Sequence, residues 1–177
     1  MLDQRSKDLR KLVIKMISVG RRGHIGPALS LIEILRVLYD SILKYNSNEP
    51  KWSNRDRFIL SKGHGCLALY AILADKEFFK MEELDNFCEP KSILGGHPER
   101  DKIPGVEAST GALGHGMPIA VGIALAAKIK NKDYKTYVVT GDGEINEGSV
   151  WEAAMSASKH KLNNLCVLID HNKLQSY

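Results

Sequence analysis

The chain has 177 residues, enough for one domain that buries a core without disulfide or metal staples. Apolar residues make up 44% and charged residues 26%, which excludes a disordered, collagen-like or low-complexity chain. The net charge of +4 is spread along the sequence, and no basic cluster interleaved with aromatics points to nucleic acid.

Leu9, Leu12, Val13, Met16 and Ile17 recur at helical spacing and predict an opening helix that ends near Gly20. A loop, RRGHIGPAL, follows. Ser30 stands three residues before Glu33, a capping-box spacing, and opens LIEILRVLYDSIL, a helix apolar on most sides and expected to be buried. The polar stretch 46–54 reads as a connection. RFILS, 57–61, predicts a short strand running into KGHG, with helices over 66–74 and 81–88. Residues 90–116 form the longest stretch without periodicity, and a loop of this length within a domain is usually functional or disordered. A helix rich in small residues begins at Met117. TYVVT, 136–140, and LCVLID, 165–170, are strands on either side of a helix over 149–160. Their consecutive apolar residues predict that both sheet faces are covered, and strand–helix–strand at this spacing predicts a right-handed parallel βαβ unit. The sheet is short, with about three strands, so one exposed apolar edge is also expected.

The longest apolar run, 117–127, is about half the ~20 residues that a bilayer span needs. The charged start, MLDQRSKDLRK, lacks the apolar segment of a signal peptide. Cys66, Cys88 and Cys166 are far apart and odd in number, and each sits in or beside an apolar run. They are expected to be reduced core thiols in a soluble cytoplasmic protein with neither nucleic acid nor membrane as partner.

Gly141-Asp142-Gly143 closes the strand 136–140, at the end of a parallel sheet where ligands sit. Glycine lets phosphate oxygens approach backbone N–H groups, and the carboxylate between two glycines suits a hard cation. Thirty residues on, past the next strand, comes Asp170-His171-Asn172-Lys173-Leu174. The βαβ geometry brings the two loops together. Asp142, the Asn172 amide oxygen and a nearby backbone carbonyl would give an all-oxygen site for Mg²⁺ or Ca²⁺, with diphosphate oxygens completing the shell. A plain turn with a helix-capping Asp is the structural alternative.

Four of the six histidines follow glycine, at His24, His64, His97 and His115. No His-Glu-x-x-His or Cys-x-x-Cys pattern supports zinc. Neutral imidazoles gathered in one cleft are the better reading, and His24, His64 and His97 are expected to share it. Ser109-Thr110-Gly111-Ala112-Leu113-Gly114-His115-Gly116 is a glycine-rich loop at a helix start, able to receive an anion or a polar ring edge, without the lysine of a P-loop.

The ordered set GHIG, DRFILSKGHG, GGHPE, TGALGHG, GDGE…NEG…WEA and DHNKL resembles the thiamine-diphosphate-binding half of transketolase over nearly the whole chain. GHIGPALS, SKGHG and GDGEINEGSVWEA look most like the N-terminal subunits of two-part transketolases. The resemblance implies an α/β fold, a C-terminally incomplete parallel-sheet pyrophosphate domain over residues 1–177 with helices on both faces. It implies Asp142, Asn172 and the Leu174 carbonyl as Mg²⁺ ligands. Gly143 and His64 would contact the diphosphate, and Gly111, Leu113 and Gly114 would hold the cofactor near its aminopyrimidine. His24 and His97 would face the sugar and its developing alkoxide, with His64 beside them. Glu147 and Glu152 match acidic residues that the family places toward the subunit interface, although negative charge at a helix start is favourable by itself. His115 stands outside the set, because the family often has Gln there. The family usually reads GHPG where this chain has GHIG.

The implied activity is transfer of a two-carbon ketol unit between sugar phosphates, with thiamine diphosphate and Mg²⁺. The implied partner is a complementary C-terminal subunit supplying the glutamate that activates the cofactor, in a dimer or heterotetramer, so the chain alone is expected to be inactive. Two other readings stay open: a deoxyxylulose-phosphate synthase-like or dehydrogenase E1-like thiamine enzyme, and a non-catalytic truncated remnant. The SKGHG and GGHPE loops favour transketolase over the former.

Overall fold

The computed structural model describes residues 2–173. The opening helix, α1 (Gln4–Gly20), starts where the Asp3 carboxylate accepts the Ser6 N–H at 2.8 Å, and it buries Leu9, Val13 and Met16 as one stripe. It stops at Arg21, which adopts φ 48° and donates its N–H to the Ile17 carbonyl. Part of the stretch expected as a loop is instead a short helix, α2 (Ile25–Leu29). The capping box does not form. The next helix, α3 (Ile32–Val37), begins without a side-chain cap, and Glu33 is taken by Arg10 through two 2.7 Å hydrogen bonds. A π-helical turn, Leu38–Ile42, continues it. Ile32, Leu35, Leu38 and Tyr39 are buried, whereas Val37 and Ile42 reach the surface, so burial is one-sided rather than general.

Strand β1 (Arg57–Leu60) leads through the 3₁₀ turn Gly63–Gly65 into helix α4 (Cys66–Asp75), whose residues 66–74 are all buried. The expected helix at 81–88 is a 3₁₀ segment, Met81–Asn86, anchored by the single buried Leu84 and ended before Cys88, which has φ 60°. Residues 90–115 contain no helix or strand. Helix α5 (Gly116–Ile129), strand β2 (Thr136–Gly141), helix α6 (Gly148–Lys159) and strand β3 (Leu165–Asp170) follow the sequence reading closely.

The sheet has three parallel strands in the order β1-β2-β3. Alternation along the strands splits the core into two layers. Phe58, Leu60, Tyr137 and Val139 face the large cluster built by α1, α3 and α4. Ile59 and Val138 face Ala120 of α5 on the other side. Helices therefore cover both faces at β1 and β2. Coverage fails at β3, one of the two edge strands among the described residues, where Cys166, Val167 and Ile169 are exposed. This corrects the expectation that both strands are buried on both faces and bears out the exposed apolar edge. It also corrects the cysteine reading: Cys66 is buried, Cys88 is half-buried and Cys166 is exposed on that edge, and all three are free thiols.

Candidate functional site

Parallel pairing brings three strand ends to one side of the molecule. Beyond β1 come Ser61-Lys62-Gly63-His64, beyond β2 Asp142-Gly143-Glu144, and beyond β3 His171-Asn172. The glycine-rich loop before α5 joins them, tied down where the Thr110 hydroxyl donates to the Leu60 carbonyl at 2.7 Å. A Cβ at Gly63 would lie 2.6 Å from the Thr110 carbonyl carbon, so glycine is what lets these two backbones meet.

These loops enclose a cavity of about 250 Å³ lined by His24, Lys62, His64, Leu113, Asp142 and Asn172 among others. The His24 and His64 rings meet edge to face, with centroids 5.6 Å apart. Burial, then the neighbouring Lys62 cation, pull the His64 pKa down to about 4, so the half-buried imidazole is neutral at pH 7. His97 also acts on His64 electrostatically. Its ring packs on Gly111, which has φ 150°; a Cβ there would stand 2.8 Å from His97 Cδ2. Helix α4 holds the His97 loop: the Cys66 thiol donates to the Gly96 carbonyl at 3.2 Å and the Tyr70 hydroxyl to the Gly95 carbonyl at 2.9 Å. Burial pushes the Cys66 thiol up to about 12, so it keeps its proton.

Buried charge underlies the cavity. The Lys62 ammonium donates to Asp170 Oδ2 at 2.5 Å, with the two side chains 1% and 7% exposed. Ser30 Oγ lies 2.5 Å from the same carboxylate oxygen and 3.2 Å from the Pro27 carbonyl, and its single proton belongs with the nearer, charged acceptor. This contact, not a helix cap, is what Ser30 contributes. The pair ties the ends of β1 and β3 together across β2. Asp142 Oδ2 accepts the Lys173 N–H at 2.9 Å and lies 3.9 Å from His171 Nε2. A carboxylate beside an amide side chain and glycine backbone is an oxygen-donor set of the kind hard divalent cations take.

Six of the residues singled out from sequence fall together, since Gly143 joins His24, His64, Leu113, Asp142 and Asn172 on the cavity wall. His97 and Gly111 flank it. Gly114 lies behind it, its N–H donated to Glu144 at 2.9 Å and its carbonyl accepting the Ser149 hydroxyl at 2.7 Å. Leu174 lies outside the described residues. His115 is exposed, with Nδ1 3.1 Å from the Leu113 carbonyl. Glu147 and Glu152 are exposed at the start of α6. Sequence reasoning passed over Lys62, Glu144 and Asp170. All three lie inside the motifs SKGHG, GDGE and DHNKL, but a lone charged residue in a loop reads as solvated until tertiary contacts show it buried.

The chain matches the family model described as transketolase, thiamine diphosphate binding domain, over residues 3–176. It is 47% identical over 174 residues to one of the subunits of the apulose-4-phosphate transketolase from Phocaeicola vulgatus, covering 98% of this chain and 62% of that protein. A 6-deoxy-6-sulfo-D-fructose transketolase subunit from a Clostridium species is 41% identical over 174 residues, with coverage of 98% and 63%. The transketolase of Campylobacter jejuni superposes with a TM-score of 0.90 at 38% identity, covering 99% of this chain and 29% of that one. The chain thus spans about six-tenths of the subunit-length relatives it matches.

Proposed function

The chain belongs to the thiamine-diphosphate-binding transketolase family, and on that premise we propose that it acts as the N-terminal subunit of a two-part transketolase. In this reading residues 1–177 form one pyrophosphate-binding domain, and the reaction transfers a two-carbon ketol unit between sugar phosphates. The observation that carries it is the meeting of Asp142 and Asn172, at adjacent strand ends, with His24 and His64 around one cavity. The relatives are themselves named as subunits, which supports a complementary partner. So does the size of the cavity, which at about 250 Å³ falls below the ~300–1,000 Å³ typical of sites that enclose a cofactor-sized ligand. The pairing makes a dimer or heterotetramer, with the activating carboxylate on the partner. Three free cysteines, one of them exposed, suit a reducing, cytoplasmic compartment. Among the described residues no helix is long and apolar enough to cross a membrane.

Asp142, Asn172 and the Leu174 carbonyl would hold Mg²⁺, with Gly143 and His64 toward the diphosphate. Bound thiamine diphosphate supplies the electron sink for the ketol carbanion. Gly111 and Leu113 orient its ring end, and Gly114 sets the loop from behind. His64, neutral at pH 7, serves as hydrogen-bond donor without adding a charge. His24, on the cavity wall, and His97, beside Gly111, would stabilise the developing alkoxide and move its proton. Glu147 and Glu152 face the partner, on an α6 surface that also exposes Trp151 and Met155. The two relatives name different sugars, so the reading fixes the ketol chemistry and leaves the sugar to groups beyond this cavity.

Calorimetry with thiamine diphosphate and Mg²⁺ tests the site. Asp142→Ala and Asn172→Ala should each abolish metal-dependent binding while circular dichroism stays unchanged. Unchanged affinity in both variants would overturn the assignment. Ketol transfer should require a complementary subunit, and turnover by the chain alone would contradict the two-part reading.

A further inference from the structure

Glu144 has no role in the scheme above, yet it is the most connected carboxylate of the site. It is 2% exposed, in the 3₁₀ turn Glu144–Asn146. One oxygen, Oε1, accepts the Ser61 hydroxyl at 2.5 Å and the Gly114 N–H at 2.9 Å. The other, Oε2, accepts the Gly141 N–H at 3.1 Å. The three donors belong to three separate segments: the end of β1, the glycine-rich loop and the end of β2. No described lysine, arginine or histidine forms an ion pair with it, so the buried carboxylate is held by oriented O–H and N–H dipoles alone. Packing enforces the same junction. A Cβ at Gly116 would lie 2.4 Å from Ser61 Oγ, and one at Gly114 would lie 2.6 Å from Ser149 Oγ.

We propose that Glu144 is a positioning residue that fixes the glycine-rich loop relative to the Asp142 metal loop, so that the two ends of one cofactor are recognised together. The proposal rests on the cofactor reading above. Gly141 immediately precedes Asp142, and Gly114 immediately follows Leu113, which lines the cavity. A carboxylate bonded to both backbones sets the span between the diphosphate end and the ring end. Without it, each loop could still hold its own part of the ligand, but the two would no longer be held at one spacing.

That separation of roles defines the test. In that reading thiamine diphosphate would touch both loops, whereas Mg²⁺-pyrophosphate would touch the metal loop and His64 but not the glycine-rich loop. Glu144→Gln should weaken thiamine diphosphate by ~10–100-fold, the range for loss of an outer partner, and leave Mg²⁺-pyrophosphate within a factor of about two. Ser61→Ala removes one of three donors and should give the same pattern more weakly, which covers the case in which Glu144→Gln does not fold. Equal weakening of both ligands would make Glu144 a metal-loop residue and overturn the proposal, as would unchanged affinity for both. Hydrogen exchange on the ligand-free chain supplies an independent arm. Both loops should lose protection in Glu144→Gln while α4 keeps its own, and unchanged protection at Gly114 and Gly141 contradicts the clasp. Failure of the wild-type chain to bind either ligand with its complementary subunit present counts against the cofactor reading, whereas the exchange result still decides the clasp.

Discussion

The two ends of the three-stranded sheet both bury charge, and they do so for different purposes. At the end where the strands begin, Arg55 and Arg57 converge on Glu107 beside a cavity of about 900 Å³. Both guanidiniums also donate to nearby backbone carbonyls, although Arg55 Nε is buried without a hydrogen-bond partner among the described residues. Arg57 bonds the carbonyls of Arg55 at 2.6 Å and Ser53 at 2.9 Å, and Arg55 bonds that of Asp56 at 3.1 Å. Burial holds the Glu107 carboxyl above its ordinary range and Arg57 below its own. At the opposite end, Lys62, Asp170 and Glu144 are buried to support loops whose polar groups line a cavity less than a third that size. The larger hollow is walled by the 49–57 and 100–107 segments, and its buried charges, Arg55, Arg57 and Glu107, bind one another and the 53–56 backbone. The smaller one is walled by the convergent polar groups. Where the buried donors are spent therefore separates structure from site better than volume does.

The largest effect expected at the site end is on stability. Asp170→Ala leaves the Lys62 ammonium buried and unpaired, which should cost about 3–5 kcal/mol in chemical denaturation. Replacing both partners with apolar residues of similar volume should recover most of that loss. If the single variant loses under about 1 kcal/mol, the buried pair is not what supports the strand ends.

A second contrast concerns the sheet faces. Leu67→Ala, in the core between α4 and α1, should lose about 2–5 kcal/mol. Trp151→Ser, 60% exposed on α6, should change the stability of the isolated chain by no more than about 0.5 kcal/mol. The same substitution should weaken association with the complementary subunit, measured by sedimentation. A large stability loss without loss of association would reverse that assignment.

The smallest effect is the pH dependence due to His64. Its folded pKa of about 4 lies below the ordinary 6.5, so the folded state binds fewer protons than the unfolded state across that interval. The stability it contributes is complete above pH 6.5 and is lost as pH falls toward 4. His64→Gln should flatten denaturation midpoints over this window, and an unchanged slope would show that other groups dominate it.

Much of this was legible in the sequence because local pattern and tertiary role agree there. The helices α1, α4, α5 and α6 and all three strands follow apolar periodicity or continuous apolar runs, and GDG with Asn172 marks the strand ends. The failures have particular causes. Ser30 and Glu33 have cap spacing, but Asp170 and Arg10, both distant in sequence, bind them more strongly. The segment 81–88 buries only Leu84 and Phe87 and ends at a left-handed Cys88, so it tightens to 3₁₀ over Met81–Asn86. LCVLID reads as doubly buried, but edge position in a sheet cannot be read from one strand. Lys62, Glu144 and Asp170 were hidden for the same reason, since only the packing of three loops shows where their charges go.

The central claim is that ligand recognition resides at the end where the strands terminate, and calorimetric titration of thiamine diphosphate with Mg²⁺ into matched variants tests it most directly. Asp142→Ala should lose more than the ~10–100-fold typical of loss of an outer partner, while Arg100→Ala, in the lining of the larger cavity, should match the wild type. Affinity lost in Arg100→Ala and kept in Asp142→Ala would place the ligand at the opposite end and contradict the account.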